Sequence, residues 1–290
     1  MACVELKNVS YRYPVSCAKN LRGINLSIEK GEFVAIIGKN GAGKTTLCNV
    51  IRGFIPHFYH GTITGSVTVN GKNVLEAGIG ILSQDVGYVF QNPFNQNSGI
   101  KVTVYEEIAY GLENLGIARD EIFARVDAVI RLLNIEHLAD KHPMKLSGGQ
   151  CQRVALASVI VMEPEVLIID EPTSQLDPKG TEDVFKIIDT MKKKGKTTIL
   201  VEHKIDRIAE YADRVILMDA GTIVMDAPVD EALSDKRLMD YGVMLPQCAM
   251  LGLALREQGF ELDRIPITIA QAKETIGKLM ELGGAAHANS

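Results

Sequence analysis

The chain lacks any run that could cross a membrane. Its longest apolar candidate, 243–255, is interrupted by Pro246 and Gln247. It falls short of the roughly 20 apolar residues a bilayer helix needs. A basic excess is missing too: 31 Lys and Arg stand against 36 Asp and Glu, for a formal net charge of −5. That argues against a nucleic-acid partner, whose surface shows a basic stripe. A secretory leader is not expected, because Glu5 and Lys7 stand where its apolar core would lie. Paired cysteines are missing as well. The five (Cys3, Cys17, Cys48, Cys151 and Cys248) are odd in number, scattered, and never at metal-ligand spacing, so reduced thiols are expected. What remains is an ordinary globular composition, 46% apolar and 23% charged over 290 residues. That suffices for one large domain or two modest ones.

The apolar pattern is that of an α/β protein. Segments 4–9 and 26–28 alternate, as half-buried strands do. Segments 33–37, 86–90, 166–169, 198–201 and 215–218 are continuous apolar runs, suited to parallel strands buried on both faces. Helical spacing separates them, the βαβ alternation of a parallel sheet. From about residue 104 to 162 the strand signal disappears. There Ile122, Val126, Val129, Ile130 and Leu133 fall on one helical face, which predicts a helical subdomain inserted between sheet strands. The chain is again mostly helical from about Pro228. Lys192-Lys193-Lys194-Gly195 reads as cations on a last helical turn with a glycine cap, rather than as a nucleic-acid patch.

Two segments carry chemistry. Gly38-Lys39-Asn40-Gly41-Ala42-Gly43-Lys44-Thr45 matches the phosphate-binding P-loop. Its glycines let successive backbone N–H groups turn inward as an anion nest, and the helix that follows offers its positive end. Lys44 is expected to reach the β- and γ-phosphates, Thr45 to offer a hydroxyl to Mg²⁺, and Thr46 to support the α-phosphate. Four fixed positions match by chance in roughly one chain in a hundred, but this match also has the required strand before it and helix after it. The second segment is Asp170-Glu171, at the end of the buried run 166–169. Two carboxylates there need a partner, since unpaired buried charge is costly. Mg²⁺ bound to phosphate would supply one. Asp170 is then the candidate metal holder, and Glu171 the candidate general base for water attacking the γ-phosphate.

Between these two lies Leu146-Ser147-Gly148-Gly149-Gln150, with Gln150 20 residues before Asp170. This order resembles the ATP-binding cassette (ABC) ATPases. The resemblance implies a P-loop NTPase (RecA-like) core with an N-terminal antiparallel β subdomain, an inserted helical subdomain and a small, mainly helical C-terminal extension. On this sequence the divisions are 1–94 with 165–227, then 95–164, then 228–290, the last expected to serve dimerisation. ATP and Mg²⁺ are the implied ligands. Gly38, Asn40, Gly41, Gly43, Lys44, Thr45 and Thr46 would bind phosphate. Tyr13 would stack on adenine, with Tyr11 as a competitor for that role. Gln91, after the strand 86–90, would reach both Mg²⁺ and the attacking water. Ser174-Gln175-Leu176-Asp177 resembles the loop joining two sites across a dimer, and His203 the switch histidine that contacts the γ-phosphate. Ser147 and Gly149, at the start of a helix expected over 149–162, would receive the ATP of a partner subunit across a head-to-tail, two-fold interface.

The tail narrows the resemblance. Leu245-Pro246-Gln247-Cys248, then Leu251, Leu255 and Gly259-Phe260, then Ile265-Pro266-Ile267-Thr268 look like the extension of energy-coupling factor (ECF) transporter ATPases. Segments 91–96 and 202–206 are similar to that group too. It implies an importer of a vitamin or a transition-metal ion. The ATPase would form a homo- or heterodimer at the cytoplasmic face of the membrane, with a transmembrane coupling subunit and a substrate-binding membrane subunit. Phe94, where an acidic residue is usual, bears on the groove for that membrane partner. Gln175 stands where glycine is common. Alternatives are another ABC importer class or a soluble ABC ATPase of DNA repair or translation. The 103 residues from Lys44 to Ser147 hold no sustained heptads, and only one set of motifs is present, which disfavours the soluble readings.

Overall fold

A computed structural model describes residues 2–16, 18–174 and 176–288, with side chains to residue 280; Cys17 and Gln175 lie outside the described residues. Two sheets organise the chain. The first is antiparallel, in the order β2-β1-β4-β5, from β1 (Ala2–Arg12), β2 (Leu21–Glu29), β4 (Thr62–Val69) and β5 (Lys72–Asn73). The second, in the order β10-β9-β3-β8-β7-β6, comprises β3 (Phe33–Ile37), β6 (Val86–Val89), β7 (Val166–Asp170), β8 (Thr197–Val201), β9 (Arg214–Asp219) and β10 (Thr222–Pro228). Its strands pair in parallel except at β9–β10.

The continuous apolar runs now have a cause. Side chains alternate between strand faces, and each face of the second sheet meets a different core. Phe33, Ala35, Ile37, Leu167, Ile169 and Leu200 join a core with the helices. Val34, Ile36, Val166, Ile168, Ile199 and Val201 join another with the antiparallel sheet. The chain is mixed α/β in the P-loop NTPase fold.

The longer helices are α1 (Lys44–Ile51), α2 (Val104–Asn114), α3 (Arg119–Leu132), α4 (Gly148–Ile160), α5 (Pro178–Lys193), α6 (Ile205–Tyr211), α7 (Gln247–Glu257) and α8 (Ile269–Ala288). Ile122, Val126, Val129, Ile130 and Leu133 are all buried, as the helical spacing predicts. α5 ends in its lysines, with Gly195 in the left-handed region at φ 76° just beyond. β4 and β5 have no counterpart in the apolar reading. β4 (Thr-Ile-Thr-Gly-Ser-Val-Thr-Val) carries Gly65 and Ser66 mid-strand, which dilutes its pattern. At Gly65 a side chain would collide with the Lys7 and Asn8 carbonyls, 2.5 Å from where its Cβ would sit. β10 is likewise an addition, an antiparallel edge strand with only partial burial.

Candidate active site

The phosphate loop runs from the end of β3 to the start of α1, and its shape depends on glycine. Gly38 has φ +140°, and a Cβ there would lie 2.2 Å from the Met218 carbonyl oxygen. Gly43 is the N-cap of α1, at φ 105°, and no side chain caps that helix. Its first-turn N–H groups thus stay turned toward an anion. Asn40 and Gly41 are exposed on the loop, and Thr46 is buried. Lys44 is buried, with Nζ donating to the carbonyls of Gly38 (2.8 Å) and Lys39 (3.1 Å). Burial pulls its ammonium below the usual lysine range, against the attraction of Glu171 and Asp170.

Asp170 ends β7 at 4% exposure. One carboxylate oxygen, Oδ2, accepts from both Thr45 Oγ1 (3.0 Å) and Tyr88 Oη (2.7 Å). Burial raises its carboxyl above the ordinary aspartate value; the Tyr88 and Thr45 hydroxyls work the other way. A hydroxyl and a carboxylate beside a phosphate nest form a hard-oxygen donor set, which suits Mg²⁺. Among the described residues no group of three or more His, Cys, Asp or Glu side chains could hold a metal ion.

Glu171 sits one residue further, with backbone φ +46°, a left-handed conformation that is strained for a side chain of this type. Its amide donates to the Val201 carbonyl (2.8 Å). Gln91 Nε2 donates to its Oε2 at 2.5 Å, and His203 Nε2 to its Oε1 at 2.9 Å. As donor, His203 carries its proton on Nε2. Two side chains, from the ends of β6 and β8, thus meet on the carboxylate that follows β7.

The remaining candidates divide. Tyr11 is fully buried, its hydroxyl donating to the His60 carbonyl at 3.0 Å, so it presents no face to a ligand. Tyr13 is half-buried, with its hydroxyl 3.5 Å from Thr46 Oγ1. Ser147 is the N-cap of α4 in a capping box: Gln150 N donates to Ser147 Oγ (3.4 Å) and Ser147 N to Gln150 Oε1 (3.2 Å). With Gly149, Arg153, Leu176 and Asp177 it lines a cavity of about 430 Å³, none of whose lining residues belongs to the phosphate loop. Phe94 is 43% exposed.

Comparison with known proteins then decides the family. The family model described as "ABC transporter" matches residues 21–174. The chain belongs to the ABC transporter ATPases. It is 41% identical over 90% of its length to energy-coupling factor transporter ATP-binding protein EcfA2 of Acetivibrio thermocellus, covering 91% of that protein. Among solved structures it resembles cbiO1 of Clostridium perfringens, part of the ABC transporter complex cbiONQ. There the TM-score is 0.72 and the identity 34%, over 89% of this chain and 97% of that one. It also resembles a dimeric ATP-binding cassette in a post-hydrolysis state bound to ADP and Pi, with TM-score 0.69 and 28% identity, over 78% of this chain and 98% of that one. ABC ATPases bind ATP and hydrolyse it.

Two residues of this ABC ATPase escaped the sequence reading. Tyr88 lies inside the apolar run of β6 yet aims its hydroxyl at Asp170. Glu202 directly follows β8 and is 3% exposed. The signal that singled out Asp170, a carboxylate closing a buried strand, applied to Glu202 equally.

Proposed function

We propose that this chain is the ATP-hydrolysing subunit of an ECF-type importer of a vitamin or a transition-metal ion, peripheral to the cytoplasmic face of the membrane. The observation that carries the reaction is the Glu171 carboxylate held between Gln91 and His203, beside Lys44, Thr45 and Asp170. Likeness to EcfA2 and cbiO1 supports the subtype.

In this reading Tyr13 stacks on adenine and the loop of Gly38, Asn40, Gly41 and Gly43 cradles the phosphates. Lys44 leaves its carbonyl contacts for the β- and γ-phosphates, and Thr46 supports the α-phosphate. Thr45, Asp170 and Gln91 would hold Mg²⁺, which when bound neutralises charge on the phosphate oxygens. Glu171 orients the attacking water and accepts its proton. His203 and Gln91 fix that carboxylate and meet the γ-phosphate side. Ser147 and Gly149 of a second cassette, identical or related, close over the nucleotide. ATP thereby favours the closed pair, and hydrolysis releases it.

Two exposed apolar surfaces support the partners. Phe94, Ile100 and Val102, following Gln91, are 43%, 65% and 61% exposed and suit a transmembrane coupling subunit at and just after the start of the 95–164 segment. Met250, Leu251, Phe260 and Ile269 are exposed on the 228–290 extension, where we place part of the dimer contact. Among the described residues no helix is long and apolar enough to cross a membrane. A substrate-binding membrane subunit would select the cargo. Isolation of the chain from membranes tests this: an integral membrane protein should co-purify, and the consistent absence of one overturns the importer reading.

A further inference from the structure

Glu202 is a second buried strand-end carboxylate, and no step above uses it. Its charge is satisfied by three donors. Thr173 Oγ1 donates to Oε2 at 2.6 Å. The backbone amides of His203 (2.8 Å) and Lys204 (3.2 Å) both donate to Oε1. The turn leaving β8 is therefore wrapped around this one oxygen. Lys204 extends the arrangement: its Nζ donates to Thr181 Oγ1 on α5 (2.7 Å) and to the Thr173 carbonyl (3.3 Å). Thr173 and Thr181 are 1% and 3% exposed.

These bonds close a ring. Glu171 receives the His203 imidazole; two residues on, Thr173 holds Glu202; Glu202 holds the backbone of His203. We infer that Glu202 is a positioning residue for hydrolysis, which seats the His203 imidazole on Glu171 and joins both, through Thr173, to the loop leading into α5. The inference rests on the reading that Glu171 and His203 act on ATP. Charge-assisted hydrogen bonds in a buried setting are short and directional, and a carboxylate gripping two successive amides fixes the Cα from which the histidine side chain departs. A 1 Å misplacement of a catalytic group can cost on the order of a hundredfold in rate.

The test is ATP turnover by the full chain with three substitutions, Thr173→Ser, Thr173→Val and Glu202→Ala, the last also in a His203→Ala background. Thr173→Val keeps volume and loses the hydroxyl. It and Glu202→Ala should lower kcat about tenfold with KM for ATP little changed, and Thr173→Ser should retain turnover. In the His203→Ala background Glu202→Ala should cost almost nothing more, because it acts through His203. An equal loss in both backgrounds overturns the inference, as does full turnover in Thr173→Val. Failure of the underlying reading shows separately, as a His203→Ala protein that loses no turnover. A measurement independent of activity follows the His203 ring-proton NMR resonance. Glu202→Ala should move it to the position seen in Glu171→Gln, and a folded Glu202→Ala protein with that resonance unmoved contradicts the assignment.

Discussion

The start of α1 and the start of α4 are both helix N-termini suited to phosphate, yet they are furnished differently. At α1 no side chain caps the helix. Around it Lys44, Thr45, Asp170, Glu171, Gln91 and His203 gather charged and hydrogen-bonding groups, those to which the proposed hydrolysis is assigned. At α4 the helix is self-capped by Ser147 and Gln150, and its cavity is shared with Leu176 and Asp177 rather than with the phosphate loop. In the proposed reading one end would cleave a nucleotide and the other would only receive one. If that reading holds, the difference teaches that a single chain holds the reacting groups but only part of the enclosure.

Substitutions can break that contrast from either end. Glu171→Gln should produce the largest effect, a loss of ATP turnover of about a hundredfold or more, with nucleotide binding retained. A phosphate-release assay beside a fluorescent-nucleotide titration separates the two. Ser147→Arg should come next: turnover falls steeply while ATP still binds the lone chain, because the arginine obstructs only the receiving end. Tyr13→Ala should raise KM for ATP by about tenfold through loss of the aromatic stack, with kcat less affected. The smallest effect is expected of Tyr88→Phe. Removing one hydroxyl donor from buried Asp170 should cost about 1 kcal/mol, read from the denaturation midpoint.

Much of this was legible before any coordinates. Parallel strands buried on both faces announce themselves as unbroken apolar runs, and each of those at 33–37, 166–169, 198–201 and 215–218 lies within a strand of the second sheet. The P-loop was legible because its glycines and lysine fall at a fixed spacing between a strand and a helix, and the carboxylates because buried charge is costly without a partner. Edge and antiparallel strands were harder. β4 is diluted by glycine and serine, and β10 is only partly buried, so neither shows the pattern that marks a core strand. The left-handed backbone of Glu171 and the hydrogen bonds of Tyr88 and Glu202 were out of reach for a different reason. They depend on where separate strand ends arrive, which no local pattern encodes.

The central claim is that the active site is completed by a second cassette. Sedimentation of Glu171→Gln protein with and without ATP tests it most directly. The account predicts a shift from one chain to two on adding ATP, abolished when Ser147→Arg is combined with Glu171→Gln. Saturating ATP binding by a species that stays a single chain, or pairing that persists unchanged with Ser147→Arg, would contradict it.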